Sequence, residues 1–141
     1  MPQRDFFHQL VKGLLIQDGW IITADPYYIG YGQERFFIDL GAEKLIAAEK
    51  NSEKIAVEVK SFLGKSHIKD LELAIGQYSL YLFILKEKEP ERTIFLAVPL
   101  DVYENVLNSP LGSLISKNIQ LNLLVFNPED EVLVHWLQEK K

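Results

Sequence analysis

The stretch Ile55-Ala56-Val57-Glu58-Val59-Lys60-Ser61-Phe62 decides the fold. Successive side chains of a strand leave opposite faces. Ile55, Val57 and Val59 therefore share one side, and Ala56, Glu58 and Lys60 share the other. The first side is wholly apolar and needs a covering layer. The second carries a carboxylate and an ammonium two positions apart. Burying either charge alone costs several kcal/mol, so the pair belongs at a solvated edge or in a functional cleft.

The neighbouring segments supply the rest of a layered domain. Residues 66–86 read as a long helix with Ser66 as N-cap and with Leu71, Leu73, Ile75, Tyr78, Leu82 and Leu85 as apolar surface. The charged run from Lys86 to Glu91, around Pro90, ends it. Thr93 to Val98 is a continuous apolar run, as expected of a strand buried on both faces, and Pro99 stops it. Residues 101–107 and 111–117 read as short helices. Leu121 to Phe126 and Val132 to Trp136 read as strands joined by Asn127-Pro128-Glu129-Asp130.

On the N-terminal side, residues 45–49 and 54–62 predict a hairpin turning at Lys50-Asn51-Ser52-Glu53. Arg35 to Leu40 continues a strand pattern, and residues 27–34, with Gly30 and Gly32, read as a loop. Trp20 to Thr23 is rich in β-formers and stops at Asp25-Pro26. Residues 4–17 form a helix in which Phe6, Phe7, Leu10, Val11, Leu14 and Leu15 make one stripe, with Pro2 before it and Gly19 after it. The order is helix, three strands, helix, strand and a short α/β tail. It predicts an α/β (α+β) domain on a mixed central sheet flanked by helices.

The 141 residues fit a single domain, 1–141, and 48% apolar content supports a core. The absence of cysteine excludes a disulfide framework, a thiolate metal site and a cysteine nucleophile. No apolar run approaches the roughly 18 residues of a membrane span, and the first ten residues are not signal-like, so a cytoplasmic protein is expected. No serine has an elbow motif or a partner base, and no glycine motif cradles phosphate.

Upstream of Glu58 and Lys60 lie three more acids, Asp39, Glu43 and Glu49. Two carboxylates from neighbouring strands can share a hard cation such as Mg²⁺ or Mn²⁺. Such an ion acidifies a bound water and shields a phosphodiester, and a lysine beside it can orient that water or meet developing negative charge.

Asp39…Glu58-Val59-Lys60 within an αβββαβ order resembles the PD-(D/E)xK nucleases of the restriction-endonuclease-like fold. Gln77-Tyr78-Ser79-Leu80-Tyr81 resembles the Q-x-x-x-Y element of their exonuclease branch. More closely, Arg4 to His8, Phe37 to Lys44, Ile55 to Phe62 and Gly76-Gln77-Tyr78 resemble XisH proteins, the cyanobacterial fdxN-element excision-controlling factors. The resemblance implies programmed DNA excision with DNA and a XisI-like protein as partners, and a homodimer is a further expectation. The nuclease resemblance implies Asp39 and Glu58 as metal ligands, with the Val59 carbonyl beside them. Lys60 would position water, and Gln77 and Tyr81 would support the site. Ile38 replaces the proline of the nucleases' PD element.

The second-strand ligand stays open between two acids. A hairpin turning at Asn51-Ser52 sets Glu43 opposite Lys60 and leaves Asp39 beyond it, whereas the family pattern names Asp39. Glu49 reads as a solvated hairpin charge. His8 reads as a polar packing residue, and His8, His67 and His135 show no ligand spacing. Phe36, Phe37, Phe62, Phe83, Phe95, Phe126 and Trp136 read as core, and Lys140-Lys141 as a frayed end. The net charge of −5 is uneven: residues 44–69 hold six lysines and three glutamates, a local +3 around Glu58 and Lys60. That patch, more than the total, is what a phosphate backbone meets.

Overall fold

A computed structural model describes residues 3–46 and 51–138. Helix α1 (Gln3–Gln17) leads into β1 (Ile21–Ala24), the hairpin β2 (Tyr27–Tyr31) and β3 (Glu34–Ile38), then β4 (Leu40–Ile46) and β5 (Asn51–Val59). Helix α2 (His67–Lys88) crosses to β6 (Arg92–Pro99). A helical turn, α3 (Leu100–Val102), runs on into a π-helical turn at Tyr103–Leu107. Helix α4 (Pro110–Asn118), β7 (Leu123–Asn127) and β8 (Val132–Leu137) follow.

Six strands form a mixed sheet in the order β1-β4-β5-β6-β7-β8, and β2-β3 forms a separate ribbon. Pairs β5–β6 and β6–β7 are parallel and the rest antiparallel. Within the sheet the order is helix, three strands, helix, strand, as expected. The alternation along β5 also holds. Ile55 and Val57 pack with Val11, Leu14 and Leu15 of α1, while Ala56 faces Ala74, Tyr78 and Leu85 of α2. Strand β6 is buried along nearly its whole length, as its unbroken apolar run predicts. Ser66 caps α2 by accepting from the Lys69 N–H at 3.2 Å.

Three readings need correction. Residues 27–34 are not a loop: they form β2 and the start of β3, and Gly32 takes the positive φ that their turn requires. The β4–β5 hairpin pairs Ile46 with Asn51 and Glu43 with Lys54. Asn51 and Ser52 therefore belong to β5 and not to a turn, and Glu43 does not face Lys60. The polar run 51–54 belongs to the strand, at its solvated end, and so gave a false turn signal. Glu49 and Lys140-Lys141 lie outside the described residues. Finally, Phe37, Phe83 and Trp136 are exposed, although Phe62, Phe95 and Phe126 are core. Single apolar side chains at the surface are ordinary, so an apolar pattern alone could not separate these cases.

Gly41 fixes how the ribbon sits on the sheet. A Cβ there would lie 2.8 Å from the Tyr27 ring, and that ring lies 4.4 Å from the Arg92 guanidinium. Gly41→Ala must push Tyr27 out of this stack. We expect a loss of about 1–3 kcal/mol in urea unfolding, by the cost of overpacking.

Candidate functional site

The register that moves Glu43 away brings Asp39 in. Leu40 pairs with Val57, so Asp39, in the break between β3 and β4, lies level with Glu58. The two exchange backbone contacts. The Val59 N–H donates to Asp39 Oδ2 at 2.8 Å, and the Asp39 N–H donates to Glu58 Oε1 at 3.2 Å. The other oxygen of each carboxylate lies near a nitrogen. Glu58 Oε2 is 3.4 Å from Lys60 Nζ, and Asp39 Oδ1 is 3.9 Å from His8 Nδ1. Asp39, Glu58, Val59 and Lys60 together line a cleft of about 510 Å³. Glu43 instead accepts from the Ser52 hydroxyl, further along the sheet.

The cleft exists because β5 ends here. Lys60 still donates its N–H to Ala97 O, but Phe62 takes a left-handed φ of 55° and turns the chain away with its ring buried. Asp70 of α2 accepts from the Gly64 N–H at 2.9 Å and ties that turn to the helix.

Glu58 is the electrostatic centre. Burial, helped by the facing Asp39 charge, pushes its carboxyl up to about 7, against the pull of Lys60 and of the Asp39 N–H. Tyr81 is pushed up to about 12 by burial and by the charges of Glu58 and Asp39, so its hydroxyl stays neutral beside them. Its ring packs near Phe36, 6.3 Å between centroids, so it is both core and neighbour to the acids. Gln77 does not line the cleft. Its Oε1 is buried with no hydrogen-bond partner among the described residues.

One group that the sequence did not assign to the site reaches it from α1. His8 lines the cleft, and its Nε2 is 2.8 Å from Asp25 Oδ1. Lys12 holds the other Asp25 oxygen at 2.7 Å. Burial opposes ionisation of Asp25, but the bonds from Lys12 and His8 outweigh it and hold the carboxyl below its ordinary value. His8 and Lys12 stand four apart, on one face of α1 and off its apolar stripe. That spacing is the only sequence signal they offer.

Among the described residues no group of three or more His, Asp or Glu is arranged to hold a metal by itself. Asp39 and Glu58 form a pair of hard oxygen donors under mutual repulsion. That donor set fits Mg²⁺ or Mn²⁺ only in the way those ions commonly bind, through one or two carboxylates with water or phosphate completing the shell.

No curated protein matches this chain. Two solved structures do. An XisH family protein from Nostoc punctiforme PCC 73102 is 40% identical, covers 94% of this chain and 98% of its own, and superposes with a TM-score of 0.83. An fdxN element excision controlling factor protein from Anabaena variabilis is 38% identical, covers 96% of this chain and 100% of its own, with a TM-score of 0.81. The family model described as XisH protein matches residues 1–134, nearly all of this sheet and both walls of the cleft. The chain belongs to the XisH family.

Proposed function

We propose that this chain is a cytoplasmic DNA-processing factor in programmed element excision, and that its cleft hydrolyses phosphodiesters with Mg²⁺ or Mn²⁺. One observation carries the reading: the Asp39 carboxylate is held by the Val59 N–H, between Glu58 and Lys60, inside a cleft. The biological setting comes from the Anabaena variabilis relative, named as an fdxN element excision controlling factor.

Asp39 and Glu58 would hold the cation, with the Val59 carbonyl as a further ligand. Bound there, it supplies an acidified water and shields the phosphodiester charge. Lys60 keeps its ammonium beside Glu58, where it orients the attacking water or meets charge on the phosphate. The neutral Tyr81 hydroxyl supports the acids from α2.

The test is cleavage of linear, branched and single-stranded DNA with Mg²⁺ or Mn²⁺. Glu58→Ala and Lys60→Ala are expected to lose cleavage by on the order of 10²–10³, comparable with loss of one transition-state contact. Unchanged cleavage in both variants refutes the reading.

The exposed pair Tyr28 and Phe37, 4.8 Å apart edge to face with Arg35 over Tyr28, favours a second reading. In it the fold controls excision without cutting, by binding a XisI-like protein or DNA. A stable complex with a XisI protein, and no cleavage with any metal, would select it.

A further inference from the structure

Helix α2 has two apolar faces, and the core uses one. Ala74, Tyr78, Leu82 and Leu85 are buried against the sheet. On the outward side Leu73, Gly76, Leu80 and Phe83 form a row with spacings of three and four residues. Leu73, Leu80 and Phe83 are 57%, 41% and 58% exposed. A Cβ added at Gly76 would meet nothing within 4 Å. One more step of four at each end reaches Lys69 and Glu87, both exposed. A repeat averaging 3.5 residues is the pattern of a seam between two helices packed at a shallow angle.

We propose that this row is the interface between two copies of this chain, with their α2 helices antiparallel across a two-fold axis at the level of Tyr78. The row complements itself only in that orientation. Its spacing reads the same from both ends, so Leu73 faces Phe83 of the second copy and Leu80 fills the space over Gly76. Lys69 faces Glu87, and Glu72 lies beside Lys86. Each of these contacts occurs twice, as a two-fold interface requires. Parallel pairing would set Lys69 on Lys69 and Glu87 on Glu87, and would leave a void at Gly76. Lys69 already lies 3.5 Å from Glu72 of its own helix, so pairing places it between two carboxylates.

This charge and size complementarity is the reason to assign a second copy and not an unrelated helix to the row. The inference does not rest on the catalytic reading, but it bears on the cleft. Leu73 also lines the cleft of Asp39 and Glu58, so the seam runs to its rim. Along the paired helices the two Leu73 residues stand ~15 Å apart. One dimer would thus carry both clefts close together.

Sedimentation equilibrium on the full chain tests this. Wild type is expected to dimerise. Phe83→Glu and Leu80→Lys, which put unpaired charge in the seam, should each raise the dissociation constant at least about 100-fold. Their thermal midpoints at low concentration should stay unchanged, because both side chains are exposed in the single chain. Lys69→Glu and Glu87→Lys should each weaken the dimer about tenfold, and the double exchange should restore it. A wild type that stays monomeric up to about 1 mM refutes the proposal. So does a dimer that survives Phe83→Glu and Leu80→Lys, or a charge exchange that restores nothing. Capture of a different protein by the row of a monomeric chain refutes it equally.

Discussion

Glu58→Gln is expected to be more stable than the wild type at pH 8 and unable to cut DNA. The Glu58 carboxyl titrates near 7 in the folded chain, against an ordinary value of 4.5, because burial and then the Asp39 charge disfavour its ionised form. Between these two values the folded state holds a proton that the unfolded state has released. Stability therefore falls as pH rises through that window, and the full penalty is present above about 7. A shift of this size corresponds to roughly 3 kcal/mol. Glutamine keeps an oxygen for the Asp39 N–H and carries no charge. It should remove this part of the pH dependence, so chemical unfolding at pH 8 and pH 5 should differ less than in the wild type. A divalent cation between Asp39 and Glu58 relieves the same repulsion. Mn²⁺ should thus raise the thermal midpoint of the wild type at pH 8 but not that of Glu58→Gln. An unchanged pH slope in the variant, or equal Mn²⁺ stabilisation of both proteins, would remove Glu58 from this role.

The second large effect lies at the other end of β5. Arg92 is a buried cation whose Nη1 donates to Ile55 O at 2.9 Å and whose Nε donates to Glu89 Oε1 at 3.1 Å. Its guanidinium also covers Tyr27, which rests on Gly41. Arg92→Ala removes all three contacts and opens space under the ribbon. We expect about 3 kcal/mol of destabilisation and a thermal midpoint lower by about 10 °C. Arg92→Lys should recover little, since an ammonium cannot serve both acceptors and stack on the ring. A loss below about 1 kcal/mol for Arg92→Ala would mean that the ribbon is held elsewhere.

Periodicity was enough for the long elements. The alternation of Ile55 to Lys60, the apolar run of β6 and the Ser66 cap of α2 are local signals, and the structure carries each of them. Where a signal had to cross the chain it weakened. The choice between Asp39 and Glu43 depended on one hairpin's register, and polar residues 51–54, which belong to β5, gave a false turn signal that shifted it. The ribbon at 27–38 was half hidden by two glycines, one of which makes its turn. Phe37 and Phe83 carried the same apolar pattern as Phe62 and Phe95, and burial alone distinguishes them.

The sequence by itself determined the long elements, the αβββαβ order within the sheet, the family, and which side of β5 bears Glu58 and Lys60. Each of these follows from residue type and spacing along a short stretch of chain. Only the tertiary structure decided that Asp39 is the acid facing Glu58, and that His8 joins the cleft from α1, held by Asp25 just after β1. It also decided that one face of α2 stays uncovered. Pairing register and layer packing bring together residues 13 to 20 positions apart, and no local pattern records such a distance.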